Sequence, residues 1–233
     1  MSQPTHHISL WAGRAKRNVV NASYTTSLYS EEREVNGETV IQLSLKDVLL
    51  DLIWHMNKHS IEQYMSFAEY EKNHLKAEIK QMTAIMLDYP YSAKHQLEKR
   101  LASMPYTYLL IDTQTEFGPA ARPGVMVVFP LDRPILDTAL YTRVASLLFS
   151  EIGIGEHQEG KVASSYLFAP YVVNPYVELF DHCRSMLDPF DYRDSNVGVW
   201  VNARDKEVVT TDEAAEQFFA ANDEELFFFP GQS

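Results

Sequence analysis

Five consecutive apolar residues, Val125-Met126-Val127-Val128-Phe129, stand between Gly124 and Pro130. A strand with one face in water alternates apolar and polar residues, whereas an unbroken run marks a strand buried on both faces. A chain holding such a strand must cover it from both sides, and the flanking sequence supplies the covers. Ala84–Leu87 reads as a strand; Ser92 then begins a helix that carries Leu97 and Leu101 and is ended by Pro105. Tyr106–Thr113 reads as the next strand, and a turn from Gly118 to Gly124, with two prolines, leads into the buried run. Pro134 and Asp137 open a helix bearing Leu140, Val144, Leu147 and Leu148, with Gly153 beyond its end. Ser165–Phe168 is expected to be a fourth strand. Asn174-Pro175 is expected to start a further helix, with Val177, Phe180, Cys183, Met186 and Leu187 on its buried side. Strand, helix, strand, strand, helix, strand is the order of the split β-α-β unit. The expected class is therefore α+β, with a ferredoxin-like (RRM-like) sheet covered by helices over about residues 83–190.

Both flanks add to this core. Ile8–Trp11 reads as a first strand, followed by a polar connection to about Gly37. Ser44 is placed to cap a helix whose apolar face is Leu45, Val48, Leu49, Leu52, Ile53 and Met56. Residues 60–80 are rich in helix formers and are expected to be helical. After the core, Val197–Asn202 and Glu207–Val209 flank Ala203-Arg204-Asp205-Lys206 as a hairpin, and Thr210-Thr211-Asp212-Glu213 matches a capping box for a short helix. With no internal repeat or linker, residues 1–233 are expected to form one domain: N-terminal strand and helices over 8–82, the core, and a hairpin, helix and acidic-aromatic tail over 195–233.

Composition narrows the partners. The 233 residues carry a formal net charge of −12, which argues against broad nucleic-acid binding through phosphate neutralisation. Cys183 is the only cysteine, so no internal disulfide forms, and a reducing, cytoplasmic setting is expected. No apolar stretch approaches the roughly 20 residues that span a bilayer, so no membrane partner is expected.

Four segments carry a resemblance. They are Leu87-Asp88-Tyr89-Pro90, Asp112-Thr113-Gln114-Thr115-Glu116-Phe117, Val127-Val128-Phe129-Pro130-Leu131-Asp132-Arg133-Pro134 and Ser164-Ser165-Tyr166-Leu167-Phe168-Ala169-Pro170. With the opening Ile8-Ser9-Leu10-Trp11, in this order and spacing over residues 8–190, the chain resembles the archaeo-eukaryotic primase superfamily. The similarity is to the primase-polymerase modules of plasmids, phages and integrated elements. That resemblance implies two or three carboxylates holding Mg²⁺ or Mn²⁺ beside a nucleotide-gripping histidine. Asp88 matches the first carboxylate, but Pro90 stands at the second and Glu116 at the histidine. Gly124 and Met126 replace the basic residues that open the next strand. Near Lys161 no third carboxylate is found beyond Glu156 or Glu159.

The departures imply a relic site on Asp88, no cofactor, and a binding or partner subunit in DNA replication of a mobile element. Its expected contacts are a replication protein, or DNA through a local patch of Arg122, Arg133 and Lys161. The tail, Asp223-Glu224-Glu225 before Phe227-Phe228-Phe229, resembles the tips by which single-strand-binding proteins dock on partners; packing of the aromatics onto the core is the plainer alternative. The rival is an active nucleotidyltransferase using Mg²⁺ or Mn²⁺, retaining Asp88 and recruiting Asp112 or Glu116. Asp88 and Asp112 are then expected two strand spacings apart, roughly 10 Å, too far to share one ion directly. A third possibility is an unrelated α+β protein-interaction domain. His55 and His59 have the four-residue spacing of a metal pair but lack a third ligand, and read as surface residues. Cys183, on an apolar helix face, reads as a buried thiol.

Overall fold

The computed structural model describes residues 4–12, 22–59, 63–71, 79–114, 123–154, 176–181, 185–189, 200–202 and 207–209. The expected strand at 165–168, the start at Asn174-Pro175, Cys183 and the helix after residue 210 lie outside them.

The central layer is a five-stranded antiparallel sheet. Its strands are β6 (Ala68–Tyr70), β7 (Ile79–Pro90), β8 (Tyr108–Gln114), β9 (Pro123–Ile135) and β10 (Val177–Phe180), ordered β10-β8-β9-β7-β6. The apolar run sits in β9, in the middle of the sheet, and every residue from Val125 to Leu131 is buried. β9 is antiparallel to both neighbours, so β7 and β8 run parallel to each other with β9 between them. A 3-10 turn (Tyr91–Ala93) and α2 (Lys94–Leu101) connect β7 to β8, with Leu97 and Leu101 buried as their spacing predicts. α3 (Thr138–Ile152) follows β9; its backbone starts on the Asp137 carbonyl and ends at Gly153, whose φ of +66° suits glycine. Pro134 belongs to β9 and not to the helix start, because β9 continues to Ile135, which pairs with Met82.

Cross-strand partners share a sheet face, and neighbours along a strand alternate. Ile85, Leu87 and Tyr89 of β7 therefore share a face with Phe129, Val127 and Val125 of β9 and with Tyr108, Leu110 and Asp112 of β8. This face receives α3, through a Tyr89–Phe149 ring stack at 5.6 Å, and α2, through a Lys94–Asp112 ion pair. Ala84, Met86, Val128, Leu109 and Ile111 form the other face, and they too are buried.

The N-terminal part is mostly strand. β1 (Thr5–Ala12) pairs with β2 (Ala22–Ser27) and β5 (Gln63–Ser66) in a three-stranded antiparallel sheet. β3 (Glu31–Val35) and β4 (Glu38–Gln42) form a separate ribbon around Asn36-Gly37, whose φ values of 57° and 83° match a two-residue turn of the primed type. α1 (Leu45–His59) begins where expected: the Ser44 hydroxyl accepts from the Asp47 N–H at 3.2 Å. Leu45, Leu49 and Ile53 are buried. This sheet docks on the central one through His6, Ser9 and Thr83: the Ser9 hydroxyl donates to the Ala68 carbonyl at 2.7 Å, and the His7 N–H to the Thr83 hydroxyl at 3.0 Å.

Two expectations are corrected. Residues 63–70 are β5 and β6 instead of helix; Met65, Phe67 and Ala68 are all buried, and pairing with β1 and β7 outweighs helix propensity. Residues 177–180 are strand β10 instead of helix, paired with β8, with Phe180 stacked on Tyr108 at 4.9 Å. Downstream, Ser185 and Leu187 form parallel bridges to Tyr106 and Leu131, which requires extended backbone there. The hairpin β11 (Trp200–Asn202) and β12 (Glu207–Val209) forms as expected. The class is α+β, with antiparallel sheets and, among the described residues, three α-helices.

Candidate functional site

Asp88 and Pro90 lie in the last turn of the pleat of β7, which runs three residues beyond the expected end at Leu87. Asp88 is half-buried and opposes Met126, which in turn opposes Ile111 on β8. Pro90, exposed at the tip, opposes Gly124. Between them Tyr89 points to the helical face. Its hydroxyl is buried without a hydrogen-bond partner among the described residues. Burial pushes the Tyr89 phenol well above its usual pKa, and the adjacent Asp88 charge pushes in the same direction. The phenol therefore stays protonated across the physiological range and cannot serve as a base.

Asp112 is held elsewhere. It opposes Val125, which opposes Tyr89, so it belongs to the helical face, while Asp88 belongs to the other. The spacing of two strands between β7 and β8 is present, with β9 between them. The two carboxylates are nevertheless on opposite sides of the sheet. Lys94 Nζ at the start of α2 lies 2.7 Å from Asp112 Oδ1, and both side chains are less than one-fifth exposed. The ammonium also sits 4.6 Å from the Tyr176 ring centroid and 5.3 Å from that of Tyr91, within cation–π range.

This arrangement bears directly on Mg²⁺ or Mn²⁺. Such ions need several oxygen ligands converging at about 2.0–2.1 Å for Mg²⁺. Asp88 offers one carboxylate, Pro90 none, and Asp112 faces the other way in an ion pair. Among the described residues, no three His, Cys, Asp or Glu side chains gather as a metal group. The described residues around Asp88 thus do not fit a two-metal centre. Glu116 lies outside the described residues.

Of the basic patch, Arg133 is described and Arg122 and Lys161 are not. Arg133 is exposed on β9, and its Nη2 donates to Asp188 Oδ2 at 2.7 Å, so part of its charge is already matched. Phe227, Phe228 and Phe229 lie outside the described residues. His55 is exposed on α1, in keeping with a surface histidine.

Lys94, Tyr91 and Tyr176 escaped the sequence reading. Lys94 reads as one more polar residue near a helix start, and Tyr176 falls in the first turn of the helix expected from Asn174-Pro175. The only local signal was Tyr91 and Lys94 three apart after a strand end. No helix among the described residues is long and apolar enough to cross a membrane. Compared with protein-family models, with curated proteins and with solved structures, the chain matches none.

Proposed function

We propose that this chain is a primase-polymerase-like protein whose nucleotidyl-transfer site has decayed, and that it acts as a binding or partner subunit in the replication of a plasmid, phage or integrated element. Support for the scaffold half comes from β7, α2, β8 and β9: two parallel strands joined by a helix, with a third antiparallel strand between them. That is three strands' worth of a split β-α-β unit, with α3 following in the expected place. The observation that carries the functional half is the disposition of the carboxylates. Asp88 stands without a second carboxylate two residues on, and Asp112 is on the reverse face, paired to Lys94. A reaction that needs two cations gripped between a primer hydroxyl and a triphosphate finds no cage among the described residues.

The test is primer synthesis and extension by the purified chain on single-stranded template, with Mn²⁺ or Mg²⁺ and all four deoxynucleotides. The expected result is no product from the chain or from Asp88→Ala. A template-dependent product that Asp88→Ala abolishes would establish the active-enzyme reading in its place.

A further inference from the structure

We propose that the β3–β4 ribbon is a docking arm for a lysine- or arginine-bearing segment of another protein, taken up in extended form along the ribbon. The inference stands on the ribbon alone and holds whether or not the primase-like reading does.

The ribbon leaves the body between β2 and α1, and among the described residues the contacts at its base are these: Ser27 bridges Ser44, the Thr26 hydroxyl donates to the Leu43 carbonyl, and Gln42 Nε2 reaches the Thr25 carbonyl at 3.4 Å. Beyond that, β3 and β4 make their extensive contacts with each other alone. At five residues per strand the arm reaches about 17 Å. A two-stranded ribbon by itself is marginal in water, because neither face has a core to pack on.

Its faces nevertheless carry apolar side chains. Val35 and Val40 share one face; Ile41 lies on the other, directly opposite Glu32 and one step from Glu34. Ile41 is 63% exposed, Val35 49% and Val40 46%. Leu43, at the base, is exposed as well. Branched residues favour the strand conformation itself, and on both faces they also offer apolar surface for an added segment to cover. Both outer edges also belong to a two-stranded sheet and so present a row of backbone groups to an added strand.

Charge selects the occupant. Residues 31–42 hold Glu31, Glu32, Glu34 and Glu38 against Arg33, a net of −3 within a chain of −12. A nucleic acid would bring phosphates against these glutamates. A second copy would set glutamates against glutamates, which disfavours pairing. An extended segment alternating basic and apolar residues, added along β3, sets its cations beside Glu32 and Glu34 on one face and its apolar side chains on the face of Val35 and Val40, and its backbone extends the sheet.

The experiment uses the full chain, hydrogen exchange and a synthetic octapeptide alternating Lys and Val, with a Glu/Val octapeptide as control. The Lys/Val peptide is expected to slow exchange of amides within 31–42 at least tenfold and the control to leave them unchanged. The Kd should weaken about tenfold in Glu32→Gln/Glu34→Gln, the scale of two partly exposed ion pairs, and weaken further as salt rises from about 0.05 to about 0.3 M. Val35→Ser tests the apolar half and should also weaken binding. These substitutions are at exposed positions, so the fold survives them. The proposal is overturned if millimolar Lys/Val peptide leaves the ribbon amides unprotected, or if the Glu/Val peptide protects equally. It is also overturned if duplex DNA protects the ribbon, or if the ribbon is already protected in a self-associated chain.

Discussion

His6 offers the sharpest quantitative test of the interface between the two sheets. It is fully buried on β1, and its Nδ1 lies 3.1 Å from the Thr83 carbonyl of β7. A carbonyl can only accept, so Nδ1 carries the hydrogen and Nε2 carries the lone pair. Nε2 is buried with no hydrogen-bond partner among the described residues. Protonating it would place a charged N–H in a dry site with nothing to receive it. Accordingly the His6 pKa is lowered from 6.5 to about 4, chiefly by burial, partly offset by the Thr83 hydrogen bond, with the neighbouring His7 adding the smallest, lowering effect. His7 itself contacts Gln81 at 2.9 Å and Glu69 at 3.7 Å. The sign follows directly. Between pH 6.5 and 4 the unfolded chain binds a proton that the folded chain refuses, so stability rises with pH across this window and is fully present above it. Moving from pH 7 to pH 5 should remove about 2 kcal/mol through His6 alone, and reaching pH 4 or below about 3 kcal/mol. Urea unfolding of the chain and of His6→Gln at several pH values isolates the effect, because the carboxylates and the other histidines contribute to both. The difference between the two proteins should shrink by about 2 kcal/mol from pH 7 to pH 5, and ring-nitrogen chemical shifts should show His6 titrating near 4. A difference independent of pH would refute the buried-neutral assignment.

Two more predictions concern the sheet ends. Lys94→Met and Asp112→Asn should each cost about 2 kcal/mol, since each leaves a mostly buried charge without its partner, while the double variant should cost less than their sum by about 1–2 kcal/mol in urea unfolding. Pro90→Asp places a carboxylate two residues from Asp88 on the same face of β7, so Mn²⁺ affinity by isothermal titration should rise about tenfold or more over the parent. That gain should vanish with Asp88→Asn and survive Asp112→Asn; equal loss from both would place Asp112 on the wrong face.

The parts of the fold that were legible in the sequence are those in which one periodicity dominates. The run in β9 announced a strand buried on both faces, and Leu97 with Leu101, or Val144 with Leu148, announced helix faces that are indeed buried. Ser44 announced the start of α1. Residues 177–180 fitted two periods at once. Val177 and Phe180 are three apart, as on a helix, while Val177 and Leu179 are two apart, as on a strand. The tie was broken by β8, a partner more than sixty positions upstream. Residues 63–70 mislead for the same reason, since their helix formers are outweighed by two strands remote in sequence. The β3–β4 ribbon was legible and was passed over: Asn36-Gly37 between Glu-Arg-Glu-Val and Thr-Val-Ile is a strong hairpin signal, hidden by a polar setting. At the site, Asp112 falls on a strand as expected, and Asp88 falls inside β7, one residue beyond the expected strand end. Their facing depends on pairing register, which composition and spacing do not carry.

That register is what keeps the two carboxylates apart, and packing on both faces holds it in place. Sliding β7 by one residue against β9 would turn Asp88 toward the side of Phe149 and α3 and send Leu87 and Tyr89 to the other face. A slip of β8 would drag Asp112 away from Lys94 and push Ile111 into its place. Either move exchanges fully buried apolar side chains for a charge in a buried layer, at a cost of several kcal/mol. A sheet open to solvent on one side loses less in such a slip, but here Ile111, Met126 and Met86 are as buried as Leu110, Val127 and Leu87. The opposite facing of Asp88 and Asp112 is therefore as durable as the core itself. Any chemistry centred on Asp88 has to draw its remaining ligands from the Met126–Ile111 side of the sheet, which Asp112 cannot reach.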